Sequence, residues 1–333
     1  MSSPALPLIW FERPVHPALA ASVGASCTVL GPGTDDDRFA GIESAIAAVA
    51  GAAPYDGAVM DRAPNLLVIA RTGIGVDAVD IAAATARGIA VCNTPDGPTI
   101  STAEHAVTLI LMVAKRVRPA EAALRDGTSV GYFARHEGIE LAGKTLGLVG
   151  FGRIARRVAT IATSIGMHVI AFDPYLDPHA ISPSVATAAS LERLLAIADV
   201  VSVHVPLTDG SRGMFDADRF AAMKPGAVFV NTARGGIVDQ DALLAALDAG
   251  RLSGAGLDVT TPEPLPTDHP LLGRDDVIVT PHIASATADG KVRILLAAFE
   301  QAMAVARGER PDHLLNPEVW DRFVAASTPG GHP

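Results

Sequence analysis

Three segments of this 333-residue chain each follow a β-like apolar run with a residue able to do ionic or acid–base chemistry. Val230-Asn231-Thr232-Ala233-Arg234 ends on a guanidinium. Gly256-Leu257-Asp258 leads through Thr260 and Pro262 to the carboxylate of Glu263, and Val279-Thr280-Pro281 leads to the imidazole of His282. Taken singly, each has an ordinary alternative: Arg234 a surface charge, Glu263 a loop acid, His282 a satisfied histidine beside a proline turn. Together they are the set needed to move a proton to or from an oxygen while an anion is held. Histidine titrates near working pH. A carboxylate beside it favours the imidazolium and fixes the ring. Arginine grips a carboxylate through paired charge-assisted hydrogen bonds.

A second constellation is glycine-rich. Gly150-Phe151-Gly152-Arg153-Ile154-Ala155 follows a strand pattern and opens a helix pattern. The first glycine permits a tight turn, the second lets backbone approach a pyrophosphate, and the small third residue allows close helix–strand packing. The helix N-terminus then offers amides and a positive dipole end to phosphate. Asp173, closing the next strand about 20 residues on, stands where a ribose-binding acid is expected. It would accept from the ribose hydroxyls and repel a 2′-phosphate, and no arginine follows in Pro174-Tyr175-Leu176-Asp177. The motif reads as a site for NAD rather than NADP; the alternative for Asp173 is a turn former ahead of Pro174.

The elements that must position these residues alternate strand and helix, the pattern of an α/β protein with parallel sheets. Strands are expected at 8–10, 27–29, 66–70 and 89–92. Residues 43–50 are apolar and ambiguous, and the surrounding alternation favours a strand. A helix is expected from Asp80 to Arg87, stopped by Gly88, and a long one from Thr102 to Val117. Residues 126–138 read as a connecting segment. Beyond Lys144, strands are expected at 145–149, 168–172, 200–204, 227–230, 256–258 and 277–280. Helices follow Ser190 and Asp239 as N-caps, and a last helix runs from Ala288 to Arg307. Six strands with intervening helices make a full dinucleotide-binding domain.

Composition narrows the classes. Apolar residues make up 49% and charged residues 19%, as in a folded globular protein. The formal charge of −10 leaves no electrostatic footprint for nucleic acid or an anionic membrane. Cys27 and Cys92 are isolated, which fits a reducing compartment. No basic-then-apolar leader opens the chain, and the strongest apolar stretch, 106–114, ends at Lys115, so a cytoplasmic location is expected. No histidine pair has metal-site spacing, so no metal is expected.

These motifs resemble the D-isomer-specific 2-hydroxyacid dehydrogenase family over nearly the whole chain. The resemblance is carried by the order Arg234, Glu263, His282 after the glycine turn, by Arg71-Thr72-Gly73-Ile74-Gly75-Val76-Asp77, by Asn93-Thr94-Pro95 and by Ala103-Glu104. It implies two doubly wound parallel-sheet domains with a cleft between them. One is a flavodoxin-like substrate domain, residues 1–101 and 304–333; the other is a Rossmann NAD-binding domain, residues 102–303. It implies that Arg234, Glu263 and His282 are catalytic and that Arg71, Gly73, Ile74, Gly75 and Arg234 hold the substrate carboxylate. It places Gly150, Gly152, Arg153, Ile154, Asp173, Thr232, Ala233, Asp258 and His282 at the cofactor. His204 and Pro206 would lie on its adenosine side, although His204 also reads as a strand-end residue. The expected activity is reversible hydride transfer between NAD(H) and a small 2-keto or 2-hydroxy acid, by a homodimer; the apolar 106–114 face reads equally as its interface or as domain core. The 258–272 segment resembles the glyoxylate/hydroxypyruvate reductase branch, and the 71–104 segment the D-3-phosphoglycerate dehydrogenase branch. An NAD-sensing corepressor-like module is the alternative from another class.

Overall fold

The computed structural model describes residues 5–176 and 181–320; Asp177 and the tail beyond Trp320 lie outside them. The chain divides into two compact units, residues 1–98 with 287–333, and residues 99–286.

In the first unit the strands are β1 (Leu8–Phe11), β2 (Thr28–Leu30), β3 (Ala47–Ala50), β4 (Val68–Arg71) and β5 (Ala90–Cys92). They pair in parallel in the order β2-β1-β3-β4-β5, the flavodoxin order. Helices α1 (Ala20–Ser26), α2 (Gly57–Asp61), α3 (Ile81–Ala86) and α11 (Ala288–Ala306) cover the sheet. The strand period of two divides the core. Ile9, Phe11, Val49, Val68 and Ala70 face Phe299, Ala302 and Val305 of α11, whereas Trp10, Ala48, Ile69 and Val91 face Phe39, Tyr55 and Met60.

This packing corrects the expected boundary. Because the apolar stripe of α11 fills the first unit's core, the chain crosses back at 286/287, not at 303/304. The ambiguous 43–50 segment resolves into a short 3₁₀ turn, Ile42–Ser44, and strand β3.

The second unit holds α4 (Thr99–Ala114), α5 (Val117–Arg125), α6 (Tyr132–Arg135), β6 (Thr145–Val149), α7 (Arg153–Ser164), β7 (His168–Phe172) and β8 (Val185–Thr187). Then come α8 (Leu191–Ile197), β9 (Val200–Val203), α9 (Ala217–Ala222), β10 (Ala227–Asn231), α10 (Gln240–Asp248), β11 (Leu252–Leu257) and β12 (Val277–Val279). Among the described residues the sheet is all parallel, ordered β12-β11-β10-β9-β6-β7-β8. That is the Rossmann order 3-2-1-4-5-6 with one added strand, β12, at its far edge. The expected six strands are seven, because the short half-polar β8 carries too little pattern to register.

The long helix expected from Thr102 to Val117 breaks in two. Arg116 sits in the left-handed region, φ 49°, and Pro119, which lacks an N–H, is tolerated in the first turn of the new helix α5. On α4, Ala106, Leu109, Ile110, Val113 and Ala114 are buried in the unit's own core, against α7, β10 and β11, so of the two readings of the 106–114 face the structure takes domain core. Within the segment read as a connection, α6 forms one short helical turn.

The segment after α11 is joined to edge strand β5 by an antiparallel bridge, Cys92 to Leu314, with the Leu315 amide donating to the Val91 carbonyl at 2.8 Å, and by one side chain. Buried Asn316 accepts from the Val91 amide at 2.8 Å and donates to the Ile89 carbonyl at 2.9 Å and to Thr85 Oγ1 at 3.0 Å. Asn316→Ala leaves a buried donor and acceptor unsatisfied. The expected loss is about 1–3 kcal/mol, measured as a shift in urea unfolding midpoint.

Candidate active site

Parallel sheets gather the ends of all their strands on one edge, and ligands bind outside the carboxyl ends where strand order reverses. In the second unit that point lies between β6 and β9. The residue after β6 is Gly150, at φ 88°. A Cβ there would lie 2.9 Å from the His204 backbone, so the turn admits only glycine. A Cβ at Gly152, by contrast, would meet nothing within 4 Å. Gly152 is the N-cap of α7 and no side chain caps this terminus, while Ala155 packs against the sheet with 1% exposure. The turn therefore presents open space and helix amides where phosphate would lie. Arg153 is exposed and Ile154 half-buried beside it.

Asp173, after β7, accepts from the Phe151 amide through Oδ2 and from the Tyr175 amide through Oδ1, both at 2.9 Å. Its carboxylate is thereby fixed against the glycine turn, and an ionised carboxylate retains further acceptor sites for hydroxyls. These two bonds are those of the turn-former reading. His204 Nε2 lies 2.9 Å from Ser202 Oγ, and burial pushes the imidazole pKa down to about 4. It is a neutral strand-end residue. Pro206 is exposed, and its carbonyl accepts from Ser211.

Beyond β10, buried Asn231 shapes the arginine turn. Its side chain accepts from the Ala233 amide at 2.9 Å and donates to the Arg234 carbonyl at 2.8 Å. Arg234 is half-buried and donates through Nη1 to the Ala233 carbonyl at 2.7 Å. Thr232 is 8% exposed, and its buried Oγ1 has no hydrogen-bond partner. An orphaned hydroxyl costs free energy unless a ligand meets it. With the open space at Gly152 and the acceptor at Asp173, it fits a bound dinucleotide.

His282 Nδ1 lies 2.6 Å from Glu263 Oε1, with 47% and 35% of their side-chain surfaces exposed. Both carriers are tied down. Gln240, the first residue of α10, clamps the Thr261 backbone, donating to its carbonyl at 2.7 Å and accepting from its amide at 2.9 Å. Gly235 runs so close to Thr260 that a Cβ would strike its carbonyl oxygen at 2.0 Å, which couples the Arg234 and Glu263 turns.

His282 itself adopts the left-handed region, φ 52°, at a cost of roughly 1–2 kcal/mol for a non-glycine residue. It is held there by Asp258. The Asp258 carbonyl accepts from the His282 amide at 2.8 Å. Its carboxylate accepts from Thr280 Oγ1 at 2.6 Å and from the amides of Ile283 at 2.9 Å and Ala284 at 2.8 Å. His105 Nε2 reaches Thr280 Oγ1 at 3.0 Å and Asp258 Oδ1 at 3.4 Å. Burial disfavours the Asp258 carboxylate, but the bonds from His105, Thr280 and the two amides prevail and hold its pKa below the ordinary value.

The Asp258 carboxylate thus anchors the histidine loop. The sequence reading also missed the supporting roles of Gln240, Asn231, His105 and Thr280. For Gln240, Asn231 and Thr280 the available signal was a polar residue at the end or start of an otherwise apolar element; His105 lies inside α4 and gave none.

In the first unit, Arg71 ends β4, and its guanidinium donates to the Thr72 carbonyl. Gly73 has φ 132°, and its amide donates to Thr94 Oγ1 at 2.8 Å. Ile74 and Gly75 follow it, exposed and half-exposed. Among the described residues no group of His, Cys, Asp and Glu is arranged to hold a metal, and no helix is long and apolar enough to cross a membrane. Burial pushes the thiols of Cys27 and Cys92 up to about 11 and about 12.

Residues 107–284 match the model of the D-isomer specific 2-hydroxyacid dehydrogenase NAD binding domain. The chain belongs to that family. Its second unit is an NAD-binding Rossmann domain, and NAD is its cofactor. The chain is 42% identical over 270 residues to a glyoxylate reductase of Thermofilum pendens, covering 79% of each chain. It is 41% identical over 253 residues to a D-3-phosphoglycerate dehydrogenase of Archaeoglobus fulgidus, covering 76% of this chain and 48% of that relative. It therefore spans about half the length of the latter. A crystal structure of a Thermus thermophilus protein superposes with a TM-score of 0.84 at 40% identity, covering 92% of this chain and 99% of that one.

Asp258→Asn tests the histidine-loop anchor. A group whose folded pKa is lowered contributes stability that is complete above its unfolded value, about 4, and is lost as pH falls through the folded one. The variant is expected to be less stable by about 1–3 kcal/mol at neutral pH, with the gap from wild type narrowing below about pH 4. Urea unfolding at both pH values measures it; a gap that does not change with pH would refute the anchor.

Proposed function

We propose that the protein is a D-2-hydroxyacid dehydrogenase acting on a small acid of the glyoxylate or hydroxypyruvate type, with residues 1–98 and 287–333 as its substrate domain. The observation that carries this reading is the 2.6 Å contact of His282 Nδ1 with Glu263, on the same sheet edge as the glycine turn and Asp173. When bound, the nicotinamide supplies or accepts the hydride.

The protein's own residues manage the proton and the anion. With Nδ1 bonded to Glu263, Nε2 of His282 is the atom that takes the hydroxyl proton during oxidation and returns it to the carbonyl oxygen during reduction. Arg234 holds the substrate carboxylate in a charge-assisted contact and polarises the carbonyl. Arg71 and the 73–75 turn form a second anion-holding element. Asp173 accepts from the ribose hydroxyls, and the α7 amides face the pyrophosphate. His204 and Pro206 border the adenosine, Thr232 and Ala233 the nicotinamide. A second reading, D-3-phosphoglycerate dehydrogenase, is supported by the 41% identity to the relative of that name. A cytoplasmic location belongs to the same proposal, supported by the two free, buried thiols.

Initial rates of NADH and NADPH oxidation against glyoxylate, hydroxypyruvate, pyruvate and 3-phosphohydroxypyruvate test the reading. Turnover with NADH is expected, falling about 10²–10⁴-fold in His282→Ala. Glu263→Gln is expected to lose about 10–100-fold, as for a removed orienting partner. NADH binding with no turnover of any acid would favour the sensing-module alternative. A preference for NADPH would overturn the role given to Asp173.

A homodimer is part of the proposal. Its support is a run of exposed apolar side chains on the α5–α6 segment: Leu124 at 69%, Val130 at 89% and Phe133 at 98%. Isolated apolar residues are ordinary on a surface, but a succession on one segment marks an interaction site. Phe133→Asp is expected to halve the mass seen by light scattering; a monomeric wild type would overturn the assignment.

A further inference from the structure

We propose that Glu12 determines substrate specificity, its carboxylate turning away acids that carry a second anionic group. The inference rests on the dehydrogenase reading above and deepens it by naming the substrate class.

Glu12 is the first residue after β1. Its Oε2 accepts from the Gly51 amide at 2.5 Å and from the Tyr55 hydroxyl at 3.4 Å, and its Oε1 accepts from the Ala53 amide at 2.9 Å. Two backbone amides converging just past the end of a strand make a cradle for an anion. Here the chain's own carboxylate fills it. Position 51 is adapted to this: a Cβ on Gly51 would lie 2.5 Å from Glu12 Oε1. Tyr55 is buried, and its phenol is pushed well above its ordinary pKa, first by burial and then by the charge of Glu12, so it stays a donor.

The cradle is placed where a ligand is expected. The strand order of the first sheet reverses between β1 and β3, the switch point at which open α/β sheets bind ligands. The Glu12 amide donates to the Val49 carbonyl at 3.1 Å, which keeps the acid on the carboxyl edge. One strand further, the ladder pairs Ala50 with Arg71. The amide and hydroxyl of Thr72 both donate to the Ala50 carbonyl, at 2.8 and 2.7 Å. The Arg71–Gly75 turn, which holds the substrate carboxylate in the proposed reaction, therefore starts beside the cradle.

A single carboxylate on the substrate is answered by arginine. A phosphate or second carboxylate at its far end meets a fixed negative charge at this edge, and the two amides that would have received it are occupied. Like charges at short range in a partly desolvated setting repel strongly. The preferred substrates are monoanionic 2-keto acids with a neutral substituent.

The test compares kcat/KM for 3-phosphohydroxypyruvate with that for hydroxypyruvate in wild type, Glu12→Gln and Glu12→Ala. Glutamine keeps the shape and removes the charge; alanine empties the cradle. Thermal unfolding and NADH fluorescence titration establish that each variant is folded. Glu309→Gln removes an equal charge from an exposed ion pair with Arg307 in the same unit and serves as the charge control. In at least one folded Glu12 variant the ratio is expected to rise tenfold or more toward the phosphorylated acid. The change is expected in KM, with the two kcat values moving in parallel, and Glu309→Gln is expected to leave the ratio as it is. A ratio unchanged in folded, active Glu12 variants, or raised equally by Glu309→Gln, would overturn the role of Glu12 and leave the dehydrogenase reading standing. Wild-type protein that binds NADH but reduces none of the acids would overturn both.

Discussion

The Asp258 carboxylate is the fixed point of the second unit's chemistry. A buried charge is tolerated only when its lone pairs are met, and here a hydroxyl, two amides and an imidazole meet them. Those partners all belong to, or press upon, the turn that carries His282. The acid thus converts its own need for donors into a defined backbone path, including the left-handed conformation that His282 would not adopt by itself. Glu263 is fixed from the other side by the Gln240 clamp on Thr261. Glu263 and His282 meet at 2.6 Å because two polar side chains, Asp258 and Gln240, hold the two turns.

Anion binding by an acidic chain imposes a second constraint. With a formal charge of −10, no long-range field draws in a carboxylate or a pyrophosphate. Several surface arginines are answered locally: Arg62 by Asp37 and Glu43, Arg87 by Asp61, Arg274 by Asp248 and Asp276. Such exposed pairs contribute little to stability, but they take those cations out of competition for ligand. Attraction is left to the residues on the strand ends and to oriented backbone amides. Those groups act over a few ångströms, which makes geometry rather than net charge the source of selectivity.

How much of this was legible in the sequence follows the same logic. The β6 strand, the glycine turn and Asp173 could be read because each step has a steric reason tied to one residue type. The strand ends bearing Arg234 and His282 could be read because parallel strands are continuous apolar runs that stop abruptly at polar residues. The edge strand β8 and the break at Arg116 could not. A three-residue edge strand has almost no period, and a left-handed arginine leaves no compositional trace. The anchoring role of Asp258 was hidden for a related reason. Its position after β11 was evident, but the direction of its oxygens depends on amides 25 and 26 residues away. The helix from about Ala288 could be read as a crossing, but its stripe is apolar enough to serve either unit, and only packing on β3 and β4 assigns its whole length to the first.

Both units follow the rule that a parallel sheet offers its switch point to a ligand, and they apply it in opposite ways. In the second unit the point is left open: Gly152 has no side chain and no side chain caps α7. In the first unit the equivalent point is closed by Glu12, which bonds the amides of 51 and 53. The open point suits a large, multiply charged molecule that must be gripped along its length. The closed point suits a small one whose single carboxylate is bound elsewhere and whose remaining atoms need to be sorted by charge. One architectural element, repeated in a single chain, thereby serves affinity in one place and exclusion in the other. A single side chain sets the difference, because removing the glutamate would restore to the first sheet the amide cradle that the second sheet presents.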